Sequence, residues 1–84
     1  MVLTQQDINT REAQKKTAAG MQDGDKFTIT GCKRFSNARF LYRKSLEGKH
    51  CIFIFYDKEH KFHSFVACDT LVDALWKINN LAMF

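Results

Sequence analysis

The chain has 84 residues, a formal net charge of +4 and 45% hydrophobic residues, eight of them phenylalanine. That length supports one small basic α+β domain, residues 1–84, and the apolar content excludes a disordered chain. The longest apolar run, residues 51–56, is far short of the roughly 18 residues a membrane-spanning helix needs.

The first predicted element is a helix. Thr4 with Asp7 three residues on resembles a capping box, and Leu3 with Ile8 stands at the two positions of a hydrophobic staple. Asn9 with Glu12 is a competing start. The helix body, residues 10–19, is mostly polar, and Gly20 suits its stop. Gly24 between Asp23 and Asp25 marks a turn.

Residues 26–34 then alternate, with Phe27 and Ile29 on one face and Thr28 and Thr30 on the other, the pattern of a half-buried strand. Ser36 and Asn37 turn the chain. Residues 39–46 alternate again, Phe40, Tyr42 and Leu46 opposing Arg39 and Arg43. A hairpin turn at residues 47–49 leads to a central strand, residues 51–56, apolar on both faces. A charged turn at 57–60 precedes a further strand at 61–67. Asp69 or Thr70 caps the last helix, which runs to about Ala82 with Leu71, Leu75, Ile78 and Ala82 along one stripe, widened by Val72 and Trp76. Trp76 and Met83 read as packing residues; Phe84 is harder to bury and suits a partner interface.

The order is therefore α-β-β-β-β-α. It predicts a four-stranded antiparallel sheet with an N-terminal and a C-terminal helix, in two layers. Both helices fall on one side, which leaves the other sheet face open.

Charge is unevenly placed. Residues 1–25 and 51–84 each balance at −1, whereas residues 26–50 carry seven lysines and arginines against Glu47 alone, a balance of +6. Arg39 and Arg43 share a strand face by parity, and Arg34 joins them if the register holds. Lys33, Lys44 and Lys49 surround them. Guanidinium groups on an open face suit phosphate oxygens through forked hydrogen bonds. Tyr42, or the pair Phe53 and Phe55 on one face of the central strand, would give bases a stacking surface.

Other chemistry is thinly supported. Asp57, Glu59 and Lys61 have the Glu-x-Lys spacing of some magnesium nucleases, but they fall on a predicted turn with no second acidic cluster. His50, His60, His63 and Cys32, Cys51, Cys68 lack paired metal-ligand spacing. No cofactor or metal is predicted, and the chain is expected to be non-enzymatic. The three isolated cysteines read as free thiols, and no secretory signal is visible at the start, so a cytoplasmic location is expected. Helix–strands–helix order is shared with double-stranded-RNA-binding domains. Where those domains carry a basic run, this chain reads Asp69–Thr70–Leu71–Val72–Asp73, and no family is assigned.

The sequence thus predicts RNA, single-stranded or structured, as the partner of a basic, aromatic-interleaved sheet face. The rival expectation is a protein-binding inhibitor or antitoxin-like factor, viral sources included, acting on an acidic surface of a partner enzyme. A homodimer through the phenylalanine face or an edge strand is a further expectation, and no membrane association is expected.

Overall fold

The structure is a computed structural model that describes residues 1–31, 38–56 and 61–82, with the backbone alone described at positions 56, 61–63 and 82. Chain order is β1 (Val2–Leu3), α1 (Gln5–Ile8), α2 (Arg11–Ala19), β2 (Lys26–Ile29), β3 (Arg39–Lys44), β4 (His50–Tyr56), β5 (Lys61–Cys68) and α3 (Leu71–Ala82). The α+β class is as expected. The sheet is five-stranded and mixed, in the order β1-β2-β3-β4-β5, where four antiparallel strands were expected.

The extra strand is β1, which lies parallel to β2 with Val2 beside Thr28 and Leu3 beside Ile29. It is held by Thr28 N–H donating to the Met1 carbonyl at 3.1 Å and Thr30 N–H to the Leu3 carbonyl at 2.9 Å. Two residues carry no readable alternation, so Leu3 looks like a helix staple in the sequence. In the fold it is a buried strand residue.

The first expected helix is two. The Asp7 carboxylate accepts the Thr4 backbone N–H at 2.7 Å at the start of α1, and Thr10 Oγ1 accepts the Ala13 N–H at 3.1 Å at the start of α2. Each half therefore has its own cap, with Asn9 ending α1. The second start is at Thr10 rather than Asn9. The junction is tied by buried Gln14, whose Nε2 donates to the Ile8 carbonyl at 2.8 Å, and by Thr17 Oγ1 donating to the Asp7 carbonyl at 2.8 Å.

Pleating sorts the strand side chains into two faces. Phe27, Ile29, Phe40, Tyr42, Ile52, Ile54, Val66 and Cys68 are buried on one of them. Leu71, Ala74, Leu75 and Ile78 of α3 and Ile8 of α1 close over that face. Phe27 and Phe40 stack with ring centroids 5.1 Å apart. Large aromatic contacts of this kind supply burial that a thin core otherwise lacks.

Trp76 corrects the expected stripe of α3. It is 43% exposed and lies under the Arg11 guanidinium, 5.5 Å from the ring centroid. Arg11 also pairs with Asp73 at 2.8 Å, and that hydrogen bond, followed by the one from Thr70, holds the Asp73 carboxyl below the usual carboxylate range. The β3–β4 hairpin turns at Ser45–Gly48, earlier than expected. Gly48 adopts φ +87°, and Leu46 is left fully exposed. Ser36, Asn37, Met83 and Phe84 lie outside the described residues.

Candidate nucleic-acid interface

The helices share one side of the sheet, and the described residues leave the other side uncovered. Register aligns three cross-strand rows on that open face. The central row runs Lys26, Leu41, Phe53 and Phe65 across β2, β3, β4 and β5. One flanking row pairs Arg39 with Phe55, beside Thr28. The other runs Arg43, Cys51 and Ala67. At about 4.8 Å per strand, the central row spans roughly 14 Å from lysine to phenylalanine, room for about two or three unstacked bases.

Phe53 and Phe65 are cross-strand partners with centroids 5.8 Å apart and planes tilted by 34°. Phe65 is 53% exposed, whereas Phe53 and Phe55 are half-buried. A groove of about 630 Å³ opens beside them, lined by Lys26, Thr28, Arg39, Leu41 and Phe55 among others. It offers an apolar floor with a lysine and an arginine at its walls. Such a surface can stack a planar ring and hold an anionic group beside it.

Phe53 and Phe55 stand on the open face, and Arg39 and Arg43 flank them there. Tyr42 does not join them. It is 4% exposed on the helix-covered face, and its hydroxyl meets His50 Nδ1 at 2.6 Å. The expectation that Tyr42 stacks on bases is corrected by that burial. The parity that opposes Tyr42 to Arg43 in the sequence is the same fact seen locally.

The basic block is also partly neutralised. Arg43 Nε donates to Asp23 Oδ1 at 3.1 Å. Lys49 pairs with Asp69, whose hydrogen bond raises the Lys49 pKa while Asp69 falls below the usual carboxylate range. Lys26, Arg39 and Lys44 make no ion pair with a described residue. Lys44 is exposed at the end of β3, outside the three rows. Lys33 and Arg34 lie outside the described residues, as do Cys32, Asp57, Glu59 and His60.

Sequence reasoning missed Lys26, Leu41 and Phe65 as site residues. Each has the right parity, but only the register between strands places them in one row. Among the described residues no three His, Cys, Asp or Glu side chains converge as metal ligands, and no helix is long and apolar enough to cross a membrane.

Compared with known proteins, the chain matches no family model, no curated protein and no solved structure.

Proposed function

We propose that the chain is a small non-enzymatic RNA-binding protein that holds unpaired bases on the open sheet face. The observation that carries this reading is the row Lys26, Leu41, Phe53 and Phe65 with Arg39 and Arg43 on either side. Phe53 and Phe65 stack on bases, while Arg39 and Lys26 hold phosphates at the groove. Arg43 is a weaker contact, because a phosphate competes with Asp23 for it. The free thiols of Cys51 and Cys68 support action in the reducing cytoplasm.

Fluorescence anisotropy of a labelled oligoribonucleotide tests the reading. Affinity is expected to fall steeply as salt rises, because phosphate contacts release counterions. A folded Arg39→Glu/Arg43→Glu double variant is expected to lose binding. Normal RNA binding by that variant sinks the proposal.

A second reading is favoured by Leu41 and Phe65, which give the face an apolar centre and a charged rim, the usual anatomy of a protein interface. In that reading the chain is an inhibitor or antitoxin-like factor seated on an acidic surface of a partner enzyme. Pull-down before and after nuclease treatment separates the two. A protein partner that survives nuclease favours the second; one lost on treatment was bridged by RNA.

A further inference from the structure

The groove on the open face holds two cations close together. Lys26 on β2 stands opposite Leu41 on β3, and Arg39 is two residues before Leu41 on the same face. The two cations are therefore diagonal neighbours, with Cβ atoms about 7 Å apart. Both are exposed, and neither makes an ion pair with a described residue. Their long stems let the ammonium and the guanidinium close on one anion from two sides. Among the described residues no carboxylate lines the groove, and Thr28 adds a hydroxyl to it.

That pair suits more charge than the interior of a nucleic-acid strand offers. A phosphodiester carries one negative charge, whereas a phosphomonoester carries about −1.5 to −2 near neutral pH, on three acceptor oxygens. Leu41 and Phe55 give the groove an apolar floor for the ring attached to such a group. Its volume of about 630 Å³ lies in the range usual for sites that bury a small molecule.

The groove also stands at the end of the row that crosses the sheet. Leu41 lines the groove and belongs to the row that continues through Phe53 to Phe65. On the other side of β2 the open face carries Val2 of β1, which is 65% exposed and uncharged. A strand laid over Phe65 and Phe53 therefore reaches Lys26 and Arg39, and beyond them an apolar side chain. Resting on the RNA-binding reading above, we infer that the groove takes the terminal nucleotide of an RNA strand, its ring on Leu41 and Phe55 and its phosphomonoester between Lys26 and Arg39.

Competition against an internally labelled oligoribonucleotide, followed by anisotropy, tests this. The competitors are an oligouridylate with hydroxyl ends, the same strand with a 5′-phosphate or a 3′-phosphate, a hydroxyl-ended strand one nucleotide longer, and free uridine monophosphate. At about 150 mM salt, one of the two phosphorylated strands is expected to compete about tenfold better than the hydroxyl-ended strand, the worth of one charge-assisted hydrogen bond. The longer strand adds a charge without a monoester and is expected to gain little. Free uridine monophosphate lacks the contacts to Phe53 and Phe65 and is expected to compete far more weakly. Lys26→Gln/Arg39→Gln keeps both stems and is expected to erase the preference for the phosphorylated end. Arg43→Gln, on the far side of the central row, is expected to weaken all strands alike and keep that preference.

Four results overturn the inference. Phosphorylated and hydroxyl-ended strands compete equally; both phosphorylated ends gain equally, which is charge alone; uridine monophosphate matches the phosphorylated strand; or the preference survives in Lys26→Gln/Arg39→Gln. Each of these leaves the RNA-binding reading standing, whereas failure of the labelled RNA to bind at all removes both.

Discussion

Asp23 Oδ1 accepts the Arg43 Nε–H at 3.1 Å and the Lys44 backbone N–H at 2.9 Å. One carboxylate oxygen thus draws an arginine of the open face toward the 22–25 turn. The turn is itself laced to β3, where Gly24 N–H donates to the Tyr42 carbonyl at 2.8 Å and Tyr42 N–H to the Asp25 carbonyl at 2.9 Å. Asp23 is therefore held in place, and its charge subtracts from the basic face at a fixed position.

Replacing Asp23 by Asn tests that subtraction. The amide oxygen can still accept the Lys44 N–H, so the turn is kept. The negative charge is gone, and Arg43 is released toward phosphate. RNA affinity is expected to rise, with the log–log salt slope steeper by about one. Because the ion pair is exposed, stability is expected to change by less than about 1 kcal/mol. Anisotropy at several salt concentrations, alongside urea denaturation, checks both statements. An unchanged slope means that Arg43 does not reach the ligand.

Binding and stability are expected to separate between two phenylalanines on opposite faces. Phe65 is exposed on the open face, so Phe65→Ala is expected to cost less than about 1 kcal/mol of stability and about 1–3 kcal/mol of RNA binding. Phe40 is buried against Phe27, so Phe40→Ala is expected to cost about 3–5 kcal/mol of stability. Denaturation and anisotropy on both variants make the comparison. Equal stability losses would show that the open face is packed like the core.

Periodicity made much of this fold legible. The alternation of Phe40 and Tyr42 against Arg39 and Arg43 survives as the two faces of β3. The apolar repeat of Leu71, Leu75 and Ile78 survives as the buried side of α3. What could not be read was non-local. Lys26, Leu41, Phe53 and Phe65 are far apart in the chain, and strand register alone joins them. The Asp23–Arg43 and Asp69–Lys49 pairs link the acidic flanks to the basic block across 20 residues each, so block-wise counting of charge overstated the free cations. Trp76 misled for a related reason: its cover is a guanidinium from another helix.

The contact between Tyr42 and His50 predicts a high-pH effect. Burial, then the charges of Asp23 and Cys51, raises the Tyr42 pKa above its ordinary value near 10.0. The folded state therefore favours the neutral phenol. Its contribution is fully present below the unfolded pKa and is lost as pH rises through the folded one. Tyr42→Phe is expected to cost about 1 kcal/mol at neutral pH through the lost hydrogen bond to His50. The gap between wild type and variant is expected to narrow above pH of about 10, where unfolded tyrosine ionises. Urea denaturation of both proteins at the two pH values reads this directly. A gap independent of pH would mean that Tyr42 ionises as easily folded as unfolded.

Gln14 joins α1 to α2 through a fully buried amide. Nε2 donates to the Ile8 carbonyl, while Oε1 meets no donor among the described residues. Gln14→Glu keeps the shape but sets a carboxylate against that carbonyl without a donor. A buried, unpaired charge is expected to cost about 3 kcal/mol or more at neutral pH. Burial raises the folded pKa of such a carboxyl above the unfolded value of about 4.3. Protonation then restores a donor for the Ile8 carbonyl, so the penalty is relieved as pH falls through the raised folded pKa. Gln14→Met strands the same carbonyl but also removes the unmet Oε1. These changes oppose each other, and the net cost is expected to be within about 1–2 kcal/mol at any pH. Denaturation midpoints for both variants between pH of about 4 and 7, the range over which a raised carboxyl titrates, decide the matter. A pH-independent loss in Gln14→Glu would mean that the inter-helix joint opens and hydrates the carboxylate.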